Sequence, residues 1–386
     1  MWKHIAANAM TIAVVLAMAL AIGVQIGKSR WADPGPLTEA RFFEVPRGAS
    51  LRTVSERLAA EGIVTSDVVF RLGAEYTEQA DGLKFGTYEI PAAATMPEVL
   101  DILTSGGPSV APFSVTHVIR ARGPEVRVRE RVAGEATPRE VATFTPGEAV
   151  PEAYTALLER GQPITWRVSV APGLTSWEVI EGLKSVDFLE GGVPEDLPAE
   201  GTLAPDTYEV NRGSDRGALV ARMTEAQERL LAEAWAARQP GLPIATPEEA
   251  LILASIVEKE TGVASERERV AAVFTNRLEQ GMRLQTDPTV IYGVTRGVGG
   301  PLGRGIRQSE LDDDNPWNTY RIDGLPATPI ANPGPEALRA AVNPEETAFL
   351  FFVADGTGGH AFAETLAEHN ENVARWRQIE ADRANQ

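Results

Sequence analysis

The feature that most constrains the fold is an uninterrupted apolar stretch near the amino terminus. From Ile5 to Gly27 no residue carries a charge, and a helix of about 20 apolar residues is long enough to cross a lipid bilayer. Inside a bilayer every backbone N–H and C=O must find its partner within the segment. The stretch is therefore predicted to form one transmembrane helix, with the rest of the chain folding outside the membrane.

Two interpretations of this stretch compete. The Ala-Leu-Ala sequence at 19–21 resembles a signal-peptidase site, and cleavage there would remove the segment. The apolar residues continue to Ile26, which is longer than a typical signal core, so we favour an uncleaved single-pass anchor. Lys3 precedes the stretch and Lys28 follows it, so the positive-inside rule does not decide the orientation.

The remaining composition excludes several classes of protein. The chain has 386 residues, which leaves room for two or more domains, and its 43% hydrophobic content supports folded cores. A net charge of -18 argues against nucleic acid as a partner, because phosphate binding needs a basic surface. There is no cysteine, and the four histidines show no metal-ligand spacing, so no disulfide, metal or other cofactor is predicted.

One pattern occurs twice before the carboxy-terminal half. Each copy has a glycine, Gly48 or Gly173, with apolar and hydroxyl residues at the same distances from it. These residues are Val45, Ser50, Val54 and Leu58 in the first copy, and Val170, Thr175, Val179 and Leu183 in the second. Each copy later reaches a Thr-Tyr-Glu run, at 87–90 and 207–210. The pattern predicts a strand, a glycine turn, a helix capped by Ser or Thr, and a returning strand.

The segments around the second copy are less informative. Between the copies, residues 114–120 and 125–129 alternate like strands and flank Gly123, which predicts a hairpin. The tail after Thr365 contains a helical pattern whose apolar positions have core spacing. These positions are Leu366, His369, Val373 and Trp376.

The run from Ile252 to Thr261 carries two glutamates on one predicted helix. Thr246 can cap its start, Pro247 suits the first helical position, and Glu249 completes a capping box. Counting back by three, four and seven residues gives each glutamate its helical neighbours. They are Val257, Ile256 and Leu253 for Glu260, and Ser255, Ala254 and Leu251 for Glu258.

Glu260 is therefore the glutamate that the helical pattern places on the apolar side. Burial without a cation raises a carboxyl pKa and keeps the group protonated, as a general acid requires. The alternative is structural: Glu260 could cap the helix end or pair with Arg267 or Arg269. Glu258 is the second candidate for the acid, or a residue that orients its neighbours or faces solvent.

Polar residues follow this helix closely. A second helix is predicted from Val270 to Leu278, and Pro288 excludes a central strand at 285–288, which therefore predicts a turn in which Asp287 bonds backbone amides. A dense set of amide, acid and aromatic side chains beside a buried acid suits a sugar-binding cleft, and equally an ordinary polar turn.

Several segments, in order, resemble the endolytic murein transglycosylase (YceG-like) family. The resemblance covers nearly the whole chain after the apolar stretch and is strongest from about residue 250 to 370. Its motifs are Glu258–Thr261, Ala264–Arg267, Asn276–Leu278, Met282–Gly293, Asn318–Tyr320, Gly324–Pro326, Ile330-Ala331 with Pro333-Gly334, and Phe352–Gly356 with Gly358–His360.

The resemblance implies a lyase that cuts the β-1,4 bond between N-acetylmuramic acid and N-acetylglucosamine within peptidoglycan strands. The catalytic acid of the family is the second glutamate of Glu-Lys-Glu, here Glu260, which later acts as the base. The substrate's own C6 hydroxyl attacks C1 and leaves a 1,6-anhydro end. The expected substrate-binding residues, each with a structural alternative, are Asn276, Arg277, Gln285, Asp287, Tyr292, Asn318, Tyr320 and His360.

The expected fold class is α+β, with a transmembrane helix, small LysM-like α/β modules and a helix-rich α+β catalytic domain. The predicted order is 1–30 cytoplasmic tip and anchor, 31–40 linker, 41–107 LysM-like module, 108–165 inserted hairpin and linker, 166–212 second LysM-like repeat unit, and 213–386 transglycosylase domain. A LysM-like module would bind glycan or would only position the active site. The resemblance places the chain in a bacterial inner membrane through residues 5–27, with the catalytic domain in the periplasm.

The predicted partners are peptidoglycan strands, the lipid bilayer and peptidoglycan synthases, since such cleavage can terminate growing strands. Two other functions stay open. A hydrolase would use the same acid with an activated water, and Asp287 or Glu258 would be its second carboxylate. A non-catalytic peptidoglycan-binding scaffold would need neither.

Overall fold

The computed structural model describes residues 2–105 and 109–384, and the side chains of 2–9 and 384 are not described. The predicted domain boundary at 107/108, the first residue of the predicted cytoplasmic tip and the last two of the predicted catalytic domain lie outside the described residues. The described chain is a mixture of helices and strands with an apolar helix at its start, which confirms the α+β class.

The helices are, in chain order, α1 (Trp2–Ala32), α2 (Leu51–Ala60), α3 (Asp67–Tyr76), α4 (Met96–Ser105), α5 (Glu152–Glu159), α6 (Ser176–Lys184), α7 (Arg216–Ala236), α8 (Pro247–Glu260), α9 (Arg267–Glu279), α10 (Asp287–Thr295), α11 (Gln308–Leu311), α12 (Pro335–Val342) and α13 (Leu366–Ala384). The strands are β1 (Arg41–Val45), β2 (Gly86–Ile90), β3 (Phe113–Ile119), β4 (Glu125–Glu130), β5 (Arg139–Phe144), β6 (Ile164–Val170), β7 (Leu189–Glu190), β8 (Thr207–Val210), β9 (Ser214–Asp215), β10 (Phe351–Ala354) and β11 (His360–Ala363).

The chain divides into two compact units. The first consists of Met1–Ser114, Val128–Ala142 and Pro151–Thr165, and the second of Val115–Arg127, Thr143–Val150 and Trp166–Gln386. A five-stranded sheet has the strand order β5-β4-β3-β6-β8. In it β3 and β4 are neighbours, joined by a turn in which Gly123 has a φ of 99°. The predicted hairpin is therefore confirmed.

Helix α1 has exposed apolar side chains on all its sides from Met10 to Ile26. The most apolar 18-residue window within Met10–Ala32 has a mean hydropathy of 2.2, and none of it is buried. Met10 and Leu20 expose 72% and 70% of their surface. A helix that is apolar all round needs an apolar surrounding, so α1 has the length and composition of a membrane span. A signal sequence would share these properties.

The first copy of the repeated pattern lies in the first unit. Strand β1 pairs antiparallel with β2, and the Ser50 hydroxyl accepts a bond from the Thr53 N–H at the start of α2. Helices α2, α3 and α4 close a core whose fully buried side chains include Phe43, Leu58 and Phe70. The predicted order of strand, turn, helix and strand is present here, with α3 inserted before the returning strand.

The second copy lies in the second unit and has the same local structure. Strand β6 pairs antiparallel with β8, and Thr175 and Glu178 form a capping box at the start of α6. Gly173 has a φ of 78°, a conformation that favours glycine. This turn also contacts the end of α8, because the Lys259 ammonium donates to the Gly173 carbonyl at 3.1 Å.

Helix α8 is central to the second unit. Its side chains Leu253, Ile256 and Val257 are fully buried in a core shared with α7, α9 and α12. The Thr246 hydroxyl caps its first turn as predicted, but the Glu249 carboxylate accepts from the Ala245 N–H instead of completing the capping box with Thr246. The core fixes the direction in which the carboxy-terminal end of α8 leaves the packed interior.

Helix α9 and the β10–β11 pair complete the surroundings of that end. Helix α9 begins at Arg267, after a short 3-10 turn, and buries Val270, Val273 and Phe274 as the spacing predicts. Strands β10 and β11 pair antiparallel, with Phe351 opposite Ala363 and Ala354 opposite His360. Helix α13 packs on them.

Candidate active site

Glu260 is the last residue of α8 and lines a cleft of about 470 Å³. Its side chain accepts a hydrogen bond from the Thr286 hydroxyl. Burial raises the pKa of Glu260 above its ordinary value; the Thr286 bond opposes that rise, and the negative charge of Asp287 adds to it. Among the described residues no arginine or lysine pairs with it, so the site favours the protonated acid.

The cleft has one polar side and one apolar side. The acid, amide and hydroxyl groups come from the end of α8, the segment before α10 and Tyr320, whereas the apolar side comes from β10 and α13. Its lining residues are Glu260, Phe274, Arg277, Leu284, Gln285, Thr286, Asp287, Tyr320, Phe351, Phe352, Val353, Leu366, His369 and Val373.

A cluster of threonines holds the segment that faces Glu260. The Thr286 N–H donates to the Thr319 hydroxyl at 3.0 Å, and the Thr289 hydroxyl donates to the Thr286 carbonyl at 2.7 Å. All three threonines are buried. Gln285, just before Thr286, has a φ of 50°, which costs a non-glycine residue on the order of 1 kcal/mol and persists only where neighbours enforce it. The Thr286 hydroxyl is therefore rigidly positioned.

Asp287 lies beside this hydroxyl at the start of α10. Its Oδ1 accepts from the Tyr320 hydroxyl at 2.7 Å, and burial together with Asp287 raises the pKa of Tyr320. The turn predicted over 285–288 is not formed, because Gln285 and Thr286 have irregular backbone and Asp287 and Pro288 begin α10. The expected bonds from Asp287 to backbone amides are replaced by the bond to Tyr320.

Glu258 has different partners from Glu260. Its side chain is only 6% exposed, its Oε2 accepts from the Gly334 N–H at 2.9 Å, and its Oε1 lies 4.0 Å from the Arg267 guanidinium. Both glutamates are therefore shielded from water, and the solvent-facing alternative for Glu258 is wrong. Arg269, the other cation considered for Glu260, pairs with Glu345 at 3.1 Å.

Two predicted binding residues bond to the backbone instead of lining the cleft. The Asn276 amide donates to the carbonyls of Thr347 and Phe349 at 2.8 and 2.9 Å. Asn318 is fully buried, and its amide donates to the carbonyl of Asp313 at 2.7 Å. These bonds fix the segments that lead into β10 and Tyr320, which is the structural alternative for both asparagines.

Arg277 combines both kinds of role. It lines the cleft, but its guanidinium donates to the carbonyls of Leu350 and Leu284 at 2.7 and 2.9 Å. The guanidinium therefore joins the start of the apolar side to the segment before Gln285, and its donors are largely used within the protein.

Tyr292 and His360 lie outside the lining of this cleft. Tyr292 bonds to the Glu200 carboxylate and packs against Trp317 with ring centroids 5.8 Å apart. The Nδ1 of His360 lies 2.8 Å from Glu266 Oε2, yet the imidazole is close enough for its charge to lower the pKa of Glu260. The cleft therefore brings together Glu260, Arg277, Gln285, Asp287 and Tyr320, with His360 nearby.

Comparison with known proteins identifies a family for the chain. The model of the YceG-like family matches residues 43–375. The chain belongs to the YceG-like family. A Bacillus subtilis (strain 168) relative named endolytic murein transglycosylase is 26% identical over 329 residues, which cover 85% of this chain and 82% of the relative.

Two other proteins are similar to this YceG-like chain over most of its length. A Streptococcus pneumoniae (strain D39) protein with the same name is 27% identical over 337 residues, and the match spans 57% of its length. The crystal structure of a YceG-like protein from Listeria monocytogenes is 23% identical, with a TM-score of 0.43 over 86% of this chain and 99% of that chain.

The carboxy-terminal helix of this YceG-like chain corrects one prediction. Leu366, His369 and Val373 were expected in the core, but they line the cleft, and Leu366 is 59% exposed. His369 stacks on Phe351 with ring centroids 5.2 Å apart. Helical spacing identified the correct face of α13, and that face borders the cleft as well as the β10–β11 pair.

Proposed function

We propose that this chain is an endolytic lytic transglycosylase of peptidoglycan, a carbon-oxygen lyase with Glu260 as its catalytic acid and base. The observation that carries the proposal is the raised pKa of Glu260 in an open cleft, where its direct partner is a hydroxyl and no cation. The names of the relatives, and motifs that match them across most of the chain, support the substrate class.

The reaction needs one carboxyl group. Protonated Glu260 gives its proton to the oxygen between N-acetylmuramic acid C1 and N-acetylglucosamine C4, and the C1–O bond breaks with its electron pair on that oxygen. The resulting carboxylate takes the proton of the muramyl C6 hydroxyl as O6 bonds to C1. The products are a new C4 hydroxyl and a 1,6-anhydro end, the acid is regenerated, and no water is consumed.

Thr286 suits a group that must alternate between acid and base. A hydroxyl can donate to the carboxylate and can accept from the carboxylic acid, so it stays bonded to both forms of Glu260. The adjacent Asp287 disfavours the ionised form of Glu260 by its charge. We assign Thr286 as the residue that positions Glu260, which the sequence pattern alone did not suggest.

The remaining predicted residues divide by their bonds. Gln285, Asp287 and Tyr320, together with the part of Arg277 that lines the cleft, are proposed to contact the glycan from the polar side of the cleft. His360 is proposed to act from outside the lining through its charge. The backbone bonds of Asn276 and Asn318, and the Glu200 bond of Tyr292, support positioning roles for these three residues.

The proposed setting follows from α1 and the family. Residues 5–27 would anchor the chain in the inner membrane with the rest in the periplasm, and cleavage there would terminate nascent strands next to peptidoglycan synthases. The repeated modules at 41–107 and 166–212 are proposed to be LysM-like, on the basis of their strand, capped helix and returning strand.

The test is mass spectrometry of the glycan products made by the full-length protein in detergent. Wild type is compared with Glu260→Gln and with Glu248→Gln, an exposed glutamate in the first turn of the same helix. Anhydromuramyl ends from wild type and Glu248→Gln, absent from Glu260→Gln, are the expected result.

Each of the other outcomes would indicate a different function or a different catalytic acid. Reducing ends from wild type would indicate a hydrolase, with Asp287 as its second carboxylate. Anhydro ends that persist in Glu260→Gln would move the acid elsewhere, with Glu258 the next candidate. No cleavage by any variant, beside an active control transglycosylase, would favour the scaffold.

A further inference from the structure

Helix α3 of the first unit carries an exposed apolar stripe. Val68, Leu72 and Tyr76 are four residues apart, so they lie along one side of the helix. They expose 47%, 58% and 90% of their surface, whereas Phe70 and Ala74 on the opposite side are fully buried. Single exposed apolar residues are ordinary, but an aligned set of this kind indicates a surface that is covered in use.

The same helix is attached to the end of α1. The Trp31 ring packs against Phe70 with centroids 6.3 Å apart. It also occupies the space beside Gly73, where a Cβ atom would lie 2.2 Å from the Trp31 ring. On a helical wheel Gly73 falls between Tyr76 and Phe70, so the Trp31 contact borders the exposed stripe.

Trp31 indicates the depth at which α3 lies if α1 spans a bilayer. Lys28 and Arg30 mark the end of the apolar stretch, and Trp31 follows them directly. Tryptophan in such a position is typical of the headgroup level, with flanking basic residues at the water interface. A helix packed on Trp31 is therefore held at the membrane surface.

We propose that α3 lies on the lipid bilayer that α1 crosses, with Val68, Leu72 and Tyr76 inserted among the lipid headgroups. The first unit would then be docked on the membrane instead of extending freely from it. The charged residues of α3 are Asp67, Arg71 and Glu75, so the helix has no basic face, and the contact needs apolar insertion and no anionic lipid. The inference depends on the proposed anchor and is independent of the proposed catalysis.

The absence of cysteine allows a direct test in the full-length protein. A single cysteine at Leu72→Cys carries an environment-sensitive fluorophore in phosphatidylcholine nanodiscs, and quenching is measured with spin-labelled lipid and with aqueous iodide. Arg52→Cys is the water-exposed control, since its side chain is 76% exposed on α2. Val15→Cys, inside α1 and 58% exposed in the protein alone, is the control for the anchor.

The expected result is severalfold stronger lipid quenching at Leu72→Cys than at Arg52→Cys, with the order reversed for iodide. Adding Val68→Ser and Tyr76→Ser to Leu72→Cys should reduce the lipid quenching, and no change would overturn the role of the stripe. Iodide quenching at Leu72→Cys equal to that at Arg52→Cys, with Val15→Cys still quenched by lipid, would overturn the docking and keep the anchor.

Two further outcomes would also contradict the proposal. Protection of Leu72→Cys from both quenchers would mean that protein, such as a second copy of the chain, covers the stripe. Iodide quenching at Val15→Cys would overturn the anchor and the docking together. None of the labelled positions lines the cleft, so the glycan-product assay reports on the proposed catalysis separately.

Discussion

The two sides of the last turn of α8 present two glutamates in contrasting surroundings. Glu258 faces a backbone N–H and, at 4.0 Å, a guanidinium. Glu260 faces a threonine hydroxyl, with a second carboxylate close enough to raise its pKa. Both are largely removed from water, so exposure does not distinguish them. Their partners do, because an N–H and a cation can only donate and therefore favour the carboxylate, whereas a hydroxyl can donate to the carboxylate and can also accept from the protonated acid.

Under the proposed function, one helix supplies a structural and a catalytic carboxyl group two residues apart. The Glu258 carboxylate accepts a hydrogen bond from the Gly334 N–H, and this bond holds the end of α8 against the segment before α12. Glu260 is the last residue of the same helix and lines the cleft, where its carboxyl group can lose and regain a proton. The neighbouring Lys259 donates to the Gly173 carbonyl. The glycine turn of the second repeat therefore contacts the last turn of α8.

The largest expected effect separates the two glutamates by activity. Glu260→Gln should lower the rate of anhydro-end formation by about 100-fold or more, the usual contribution of a general acid. Glu258→Gln should lower it far less, because the glutamine oxygen can still accept from Gly334. Initial rates on purified glycan strands measure both, with thermal melting as the control for folding. Equal losses in the two variants would remove the distinction.

The second prediction concerns stability, for which we expect a large effect of substitution at Glu258. Glu258→Ala leaves the Gly334 N–H and the Arg267 guanidinium without their acceptor in a shielded place, which should cost about 1–3 kcal/mol of unfolding free energy. Glu258→Gln should cost less. Urea unfolding measures the difference, and a Glu258→Ala protein as stable as wild type would show that Glu258 has no structural role.

Much of α8 could be predicted from local rules. The Thr246 cap, Pro247 and the period of 3.6 residues set the helix and placed Glu260 on a buried face, because each involves residues within one or two turns. The repeated strand–helix–strand units followed for the same reason. These features depend on short-range geometry that a single sequence records.

The partners of the polar residues could not be predicted in this way. The hydroxyl that contacts Glu260 is 26 residues away along the chain, and the carbonyls that engage Asn276 are more than 70 residues away. Nothing in the spacing distinguishes an amide that binds a sugar from one that binds a distant backbone. The prediction that the apolar face of α13 lies in the core was wrong for a similar reason. Periodicity shows which side of a helix is apolar, but it does not show whether that side borders a cleft.

The third prediction uses the raised pKa of Glu260. A carboxyl group whose pKa is raised in the folded state contributes stability that is fully present below its unfolded-state pKa and is lost as pH rises through the folded pKa. Glutamine stays neutral and loses nothing. Glu260→Gln should therefore be more stable than wild type at about pH 8, by on the order of 1 kcal/mol, with a smaller advantage at about pH 5.

Urea unfolding of both proteins at the two pH values measures this. Glu248→Gln, in the exposed first turn of α8, is the control for removing one negative charge from an acidic chain. The same advantage for both variants would attribute the effect to net charge. A stability advantage for Glu260→Gln that grew as pH fell would contradict the raised pKa.

The smallest effect tests the hydroxyl that distinguishes the two sites. Thr286→Val keeps the shape of the side chain but removes the bond to Glu260, which lowers the pKa of that acid in the wild type. The rate should fall by up to about tenfold, the equivalent of one net hydrogen bond. The pKa of the basic limb of the pH–rate profile, where the acid loses its proton, should move upward because the bond that opposed the rise is gone.

Thr286→Ser is the matched control, because it restores the hydroxyl on the same segment held by Thr319. It should recover both the rate and the position of the basic limb. A merely structural role for Thr286 would lower the rate without moving the profile, and in that case serine would rescue stability alone. A lower rate with an unmoved profile would thus assign the hydroxyl to packing, leaving burial and Asp287 as the groups that set the protonation of Glu260.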